Sequence, residues 1–284
     1  QPLAEKTQIA LKLRRTAFSS CDNNGTGQVS LAEVDGYVNS TLKKKFDPDY
    51  AHKLYMLYKP SYIRAFYAAK SIHETGDDSD DDYVDFQEFR VLIAYLCIYA
   101  GMFDAFAKID GGGDGVDEND DRRIEKAEFL GGYRKFAEAG FLGLQDLAKS
   151  SEADCEAVFE TIDCDGGGMV LFSEFCMYVK QCEKDKGTAL GMLLSGETGR
   201  NPTNQKKKTL PEKRSTAEPT VGSRTPDSTK KKQTSSSIMP VKVSGAYLPG
   251  SNASQDLRKF IQAFQPLAEK TQIALKLRRT AFSS

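Results

Sequence analysis

The residues with the clearest chemistry lie in a twelve-residue stretch, 22–33, which reads DNNGTGQVSLAE and carries oxygen atoms at alternate positions. Ca²⁺ takes about six to eight oxygen ligands, and a tight loop presents alternate residues to its centre. Gly27 stands at the sixth position, where the bend requires a positive φ. Glu33 at the twelfth position closes the shell with two oxygens. The ligands predicted for this loop 1 are Asp22, Asn24, Thr26, Gln28 (through its backbone carbonyl), Ser30 and Glu33.

Loop 2 is residues 77–88, DDSDDDYVDFQE, which align with loop 1 through the twelfth-position glutamate. Its departure is Asp82 at the sixth position, where an aspartate adopts left-handed backbone at some cost. Two interpretations stay open: a Ca²⁺ loop, or an acidic, solvated loop that keeps the fold without an ion. The ligands predicted here are Asp77, Ser79, Asp81, Tyr83, Asp85 and Glu88.

Loop 3 is residues 117–128, DENDDRRIEKAE, with Arg122 in place of the glycine, and it follows an apparent insertion at 111–117. The insertion allows an alternative in which Asp110 is the first ligand of an enlarged loop; we favour Asp117. The ligands predicted here are Asp117, Asn119, Asp121, Arg123, Glu125 and Glu128.

Loop 4 is residues 163–174, DCDGGGMVLFSE, with Gly168 at the sixth position. Gly167 and Leu171 replace two side chains that carry oxygen, so we expect weaker binding than in loop 1, or none. The ligands predicted here are Asp163, Asp165, Met169 (through its carbonyl) and Glu174.

The spacing of all four loops is that of EF-hands, in which helices flank each loop. A β-branched residue occupies the eighth position of every loop: Val29, Val84, Ile124 and Val170. We expect these residues to pair loop 1 with loop 2 and loop 3 with loop 4 through short antiparallel contacts. The predicted fold class is therefore all-α, with EF-hand helix–loop–helix pairs in two calmodulin-like lobes. Because loop 1 has only two carboxylates, we expect micromolar or weaker affinity, which suits a sensor.

Apolar periodicity supplies the helices around these loops. Residues 86–107 predict one helix between loops 2 and 3, and helices are expected near 151–162 and 172–183 around loop 4. The apolar run 91–103 is too short to cross a bilayer and indicates a buried helix.

Charge divides the chain into two parts. Residues 1–196 carry 34 acidic and 22 basic side chains, whereas residues 197–284 carry 6 and 17. The predicted domains are an N-terminal EF-hand pair (1–107), a C-terminal pair (108–196), a disordered Lys/Ser/Thr/Pro-rich linker (197–253) and the first helix of a second repeat unit (254–284).

The repeat is expected because residues 265–284 copy residues 1–20 letter for letter. A tandem array explains this copy, and an assembly artefact is the alternative.

Several motifs together resemble the flagellar calcium-binding proteins (calflagins) of trypanosomatid protozoa, over roughly residues 1–183 and 254–284. They are QPLAEKTQIALKLRRTAF before DNNGTGQVSLAEV, DYVDFQEFRVLIAYLCIY before MFDAFAKID, and AVFETIDCDGGGMVLFSEF. The resemblance implies a Ca²⁺ sensor with four EF-hands, Ca²⁺ as its ligand, and a place in the flagellum. Acylation near the N-terminus helps to attach that family to the flagellar membrane; this chain does not begin with Met-Gly, so we do not carry that property over.

Two functions are weighed. A sensor or adaptor would expose apolar side chains with Ca²⁺ and bind an amphipathic helix or a flagellar component; the candidate side chains are Phe86, Phe89, Leu92, Phe103 and Phe106. A repeat-built scaffold would instead use the basic linker on an anionic membrane or microtubules, with calcium incidental.

Other classes are not expected. The two histidines, His52 and His73, adjoin no plausible nucleophile, and the sequence has no HExxH, GxSxG or phosphate loop. The basic part has no aromatic residue before Tyr247 to stack on bases, so no nucleic-acid partner is expected. Six cysteines without CxxC spacing indicate reduced, intracellular thiols.

Overall fold

The computed structural model describes residues 2–70, 82–110, 122–195, 249–264 and Leu267. Within the chain, Gln1–Thr198 and Val243–Ser284 form one compact unit, which contains all of the described residues. The first parts of loops 2 and 3 and the linker predicted at 197–253, apart from residues 249–253, lie outside the described residues. The predicted domain boundaries stay predictions.

The described unit is helical, with short strands only in the loops. Its helices, in chain order, are α1 (Pro2–Cys21), α2 (Leu31–Lys43), α3 (Pro48–Leu57), α4 (Lys59–Lys70), α5 (Phe89–Asp110), α6 (Lys126–Gly132), a 3₁₀ helix (Tyr133–Glu138), α7 (Leu142–Leu147), α8 (Glu152–Ile162), α9 (Phe172–Asp185), α10 (Ala189–Leu194) and α11 (residues 255–264).

The helix starts follow local capping chemistry. The Ser30 side chain accepts from the Glu33 N–H and the Glu33 carboxylate accepts from the Ser30 N–H, which is a capping box at the start of α2. The Asp47 side chain accepts from the Tyr50 N–H at the start of α3, with Pro48 in the first turn. Ser151 caps α8 in the same way, so this helix begins close to the predicted residue 151.

Short antiparallel strands join the loops in pairs. Strand β1 (Gln28–Ser30) pairs with β2 (Tyr83–Asp85), and β3 (Arg123–Glu125) pairs with β4 (Met169–Leu171). Val29 lies opposite Val84 and Ile124 lies opposite Val170, and all four side chains are buried. The predicted pairing of loop 1 with loop 2 and of loop 3 with loop 4 is confirmed, because buried β-branched side chains fix the register.

Helix α5 is the central element of the core. It begins three residues after the predicted start and is buried along almost its whole length. By length and composition it could cross a membrane, but 94% of the relevant window is buried inside this protein. It packs against α4, α6 and α9, so its apolar surface is buried within the fold.

Two elements pack onto the EF-hand pairs from outside them. Helix α10 packs against α9, and the Tyr95 hydroxyl of α5 donates to the Leu193 carbonyl at 2.8 Å. Helix α11 agrees with the helical periodicity of its sequence, and it packs against the first EF-hand pair. Its side chains Leu257, Phe260, Ile261 and Phe264 are buried in the common core.

Candidate metal-binding loops

Loop 1 brings its two carboxylates over the same backbone turn. The Asp22 Oδ1 accepts from the Thr26 N–H at 3.1 Å and its Oδ2 from the Gly27 N–H at 3.0 Å. The Glu33 Oε1 accepts from the Asn23 N–H at 3.1 Å, and its Oε2 from the Ser30 N–H at 2.9 Å. Glu33 therefore spans from the start of α2 back to the start of the loop and closes it.

The other predicted ligands of loop 1 form hydrogen bonds within the same loop. The Asn24 Oδ1 accepts from the Thr26 N–H at 3.0 Å, and the Thr26 hydroxyl donates to the Gln28 carbonyl at 3.0 Å. The Ser30 hydroxyl donates to the Glu33 Oε2 at 2.8 Å. All six predicted ligands are thus linked to one another or to the turn that they enclose.

Loop 4 repeats this pattern position by position. The Asp163 Oδ1 and Oδ2 accept from the N–H groups of Gly167 and Gly168, each at 2.9 Å. The Glu174 Oε1 accepts from the Cys164 N–H at 3.2 Å, and its Oε2 from the Leu171 N–H at 2.9 Å. The two positions without side-chain oxygen, Gly167 and Leu171, thus supply N–H groups that orient the carboxylates.

The acidic groups of loop 4 form a compact cluster. Asp163, Asp165 and Glu174 offer oxygens that all lie within 4.8 Å of one another, with Asp163 and Glu174 buried and Asp165 exposed. Oxygen donors at this spacing match the preference of a hard cation. Loop 1 has the same geometry with an amide, Asn24, in place of the third carboxylate. The Met169 carbonyl, predicted as a ligand, belongs to β4.

Two glycines in each of these loops adopt left-handed backbone. They are Gly25 and Gly27 in loop 1, with φ 70° and 82°, and Gly166 and Gly168 in loop 4, with φ 70° and 77°. The sixth-position glycines were predicted, but the fourth-position glycines were missed. The available signal was a glycine two residues before the sixth position in both sequences.

The described halves of loops 2 and 3 keep the hydrogen bond from the ninth-position N–H to the twelfth-position glutamate. The Asp85 N–H donates to the Glu88 Oε2 at 2.9 Å, and the Glu125 N–H donates to the Glu128 Oε2 at 2.8 Å. Arg122 has φ 64°, so this arginine carries the strain expected where glycine is absent.

The remaining predicted ligands of these two loops divide between the strands and the part that the structure does not describe. Tyr83 belongs to β2 and Arg123 to β3. Outside the described residues lie Asp77, Ser79, Asp81, Asp117, Asn119 and Asp121. Asp110, the alternative first ligand of loop 3, is the last residue of α5 and is buried.

The electrostatics of loops 1 and 4 favour a bound cation and keep the neighbouring thiols protonated. Burial raises the pKa of Glu33, but hydrogen bonds from Ser30, Asn24 and Asn23 outweigh burial and lower the pKa overall. Burial, followed by the charges of Glu33 and Asp22, raises the pKa of the Cys21 thiol to about 12. The Cys164 thiol donates to the Glu174 Oε1 at 3.2 Å, and this bond raises its pKa. Both thiols therefore stay protonated at neutral pH, so the carboxylate oxygens are the charged groups available as metal ligands.

Comparisons with known proteins agree with this geometry. Residues 2–96 match the FCaBP EF-hand domain model. A "Flagellar calcium-binding protein" of Trypanosoma cruzi is 26% identical over 184 residues, which are 64% of this chain and 75% of that protein. Two proteins of Trypanosoma brucei brucei, "Flagellar calcium-binding protein TB-44A" and "TB-17", are each 30% identical over 160 residues.

The coverage differs among these relatives. The match to the two Trypanosoma brucei brucei proteins takes in 56% of this chain, but only 33% of TB-44A and 58% of TB-17. No solved structure matches the chain. The paired loops and the sequence matches agree: residues 2–96 match an EF-hand domain model, and the chain is similar to the flagellar calcium-binding proteins.

Proposed function

We propose that this protein binds Ca²⁺ in its EF-hand loops and acts as a calcium sensor in the flagellum. The observation that carries the proposal is the shared hydrogen-bond pattern of loops 1 and 4, in which the first- and twelfth-position carboxylates close over one turn. The names of the relatives support both the ion and the location.

The two complete loops differ in charge. Loop 4 brings three carboxylates to its turn and loop 1 brings two. Because affinity in EF-hands rises with ligand charge and loop rigidity, loop 4 binds at least as tightly as loop 1. This ranking reverses the expectation drawn from the missing side-chain oxygens of loop 4.

Ca²⁺ acts on the fold through the twelfth-position glutamates. Glu33 and Glu174 lie in the first turns of α2 and α9, so a cation that draws their carboxylates inward also turns those helices. The apolar side chains proposed for a partner are largely in the core: Phe89, Leu92, Phe103 and Phe106 are buried, and Phe86 is half-buried. Their exposure with Ca²⁺, to a protein partner such as an amphipathic helix, is part of the proposal.

Calorimetry of the full chain tests the proposal. Wild type releases or absorbs heat as Ca²⁺ fills its loops, and Glu33→Gln and Glu174→Gln each remove the signal of one loop. Glu152→Gln, an exposed position in the first turn of α8, serves as the matched control and changes nothing. A wild-type chain that shows no heat at millimolar Ca²⁺ would rule the function out.

A second candidate is a scaffold role, favoured by the 17 basic against 6 acidic residues of 197–284. Such a segment is attracted to anionic membrane faces or to acidic microtubule surfaces. Co-sedimentation of the full chain with anionic vesicles and with microtubules, at physiological salt, tests it. No catalytic role is proposed, since neither His52 nor His73 has a motif around it.

A further inference from the structure

Residues 249–264, here called the docking segment, fill an apolar groove on the EF-hand unit. Five of its side chains are buried, at the spacing of one helix face: Leu257, Phe260, Ile261, Ala263 and Phe264. The Phe260 ring lies 4.5 Å from that of Tyr58, which in turn lies 6.1 Å from Phe103. The aromatic anchor Phe260 therefore packs on Tyr58, between α3 and α4, and the Tyr58 ring in turn packs on the central helix α5.

Polar contacts fix where the segment begins its helix. The Asp256 carboxylate accepts from the Tyr50 hydroxyl at 2.7 Å and pairs with the Lys53 ammonium at 2.9 Å. Burial, and then the hydrogen bond to Asp256, raises the pKa of Tyr50 to about 12. This hydroxyl therefore remains a donor at neutral pH, and the groove has a defined site for one acidic side chain.

The non-helical start of the segment, which includes a turn at residues 251–252, is held by contacts as well. The Lys108 ammonium donates to the Asn252 carbonyl at 2.6 Å, and the Asn252 side chain donates to the Lys135 carbonyl at 2.8 Å. At Gly250, an added Cβ would lie 1.7 Å from the Glu138 carbonyl oxygen, so only glycine fits. The segment is thus held by directional contacts in addition to apolar burial.

Chain connectivity keeps the docking segment near the groove but does not by itself fix it there. Residues 196–248 stand between the EF-hand pairs and the segment, and they are rich in Lys, Ser, Thr and Pro. Closure entropy grows slowly with the length of such a connection. The contacts themselves must therefore hold the segment, and a free helix that makes the same contacts can compete for the groove.

We infer that this groove is a helix-binding surface whose resident occupant is the docking segment of the same chain. The ligand class is an amphipathic helix with the pattern D-L-x-x-F-I-x-A-F, in which the aspartate binds Tyr50 and Lys53 and the apolar residues enter the groove. The Tyr58 ring, which contacts Phe260, also contacts Phe103, one of the side chains proposed for the sensor's partner. A partner helix that occupies this groove has to displace the docking segment first. The assignment does not depend on Ca²⁺.

Fluorescence anisotropy with a labelled peptide of residues 249–264 tests the inference in Ca²⁺-free buffer. The full chain is compared with Phe260→Asp, which places a charge in the groove, and with Gln262→Ala, whose side chain is exposed on the same helix. A tether gives an effective concentration of about 1 mM, so for a peptide with a Kd of ~10 μM the resident segment weakens binding ~100-fold. We expect Phe260→Asp to bind the peptide ~100-fold more tightly than wild type and Gln262→Ala.

Each other outcome overturns the assignment. Equal binding to wild type and Phe260→Asp shows that the peptide uses another surface. A Phe260→Asp chain that keeps its helical circular dichroism but binds no peptide shows that the groove is not a binding site. Loss of helical structure in Phe260→Asp shows that the segment is a fixed part of the core. A wild-type dimer that Phe260→Asp makes monomeric, measured by sedimentation, assigns the occupant to a second copy of the chain.

Discussion

At the scale of residues, backbone N–H groups orient the carboxylates of the loops. Gly167 and Leu171 offer no side-chain oxygen, and their N–H groups donate to Asp165, Asp163 and Glu174 at 2.8–2.9 Å. The spacing predicted which carboxylates converge. It could not predict the N–H groups that orient them, because backbone hydrogen bonds cannot be read from side-chain types; the order of affinity stays a prediction. The left-handed backbone of the fourth-position glycines, Gly25 and Gly166, was missed, although both sequences carry a glycine two residues before the sixth position.

The left-handed glycines give a prediction at this scale. Gly166→Ala forces a side chain into φ 70°, which costs about 1–2 kcal/mol and opens the turn beneath Asp163. Gly36→Ala is the matched control, because Gly36 lies inside α2 with open space around it, and the change stabilises the fold by about 0.5–1 kcal/mol. Chemical denaturation measures both, and calorimetry should show weaker Ca²⁺ binding for Gly166→Ala alone. A stable Gly166→Ala with unchanged affinity would contradict the role of this turn.

At the scale of elements, α2 is fixed to α3 and α4 through one carboxylate. Asp35 accepts from the Tyr62 hydroxyl at 2.6 Å and the Tyr55 hydroxyl at 2.7 Å. Burial raises the pKa of Asp35, but these hydrogen bonds and the nearby Lys59 outweigh burial and lower it overall. Periodicity does not predict this link, because a polar residue on a helix face does not indicate which hydroxyls will meet it.

This link gives a prediction about pH. A lowered folded-state pKa stabilises the fold above the unfolded-state value, near 3.8, and the stabilisation is lost as the pH falls through the folded-state pKa. Tyr62→Phe should therefore cost about 1–2 kcal/mol at pH 7 and much less at a pH below the folded-state pKa of Asp35, where the carboxyl of wild type is neutral. Tyr67→Phe, an exposed hydroxyl on the same helix, should cost nothing at either pH. Urea denaturation at the two pH values decides; an equal loss at both would place the effect elsewhere.

At the scale of the whole molecule, the EF-hand pairs and the docking segment share one core. Loop pairing, helix types and the central helix followed from apolar spacing, because buried β-branched residues and long apolar stripes allow few arrangements. The docking of α11 did not follow, although its apolar face was evident. An amphipathic sequence shows that a helix buries one face, but not which groove covers it. The order along the chain suggested a separate unit, whereas Phe260 of α11 contacts Tyr58 of the first EF-hand pair.

The shared core leads to a prediction that separates two ways of exposing apolar surface. An apolar dye should fluoresce more with Phe260→Asp than with wild type even without Ca²⁺, because the groove around Tyr58 is uncovered. Ca²⁺ should raise the signal further in both chains, since turning α2 and α9 uncovers side chains around α5. Gln262→Ala should match wild type throughout. If Ca²⁺ adds no fluorescence in either chain, the sensor role is wrong, but the docking groove is unaffected by that result. If Phe260→Asp and wild type fluoresce equally without Ca²⁺, the segment does not cover the groove, and the sensor role is unaffected.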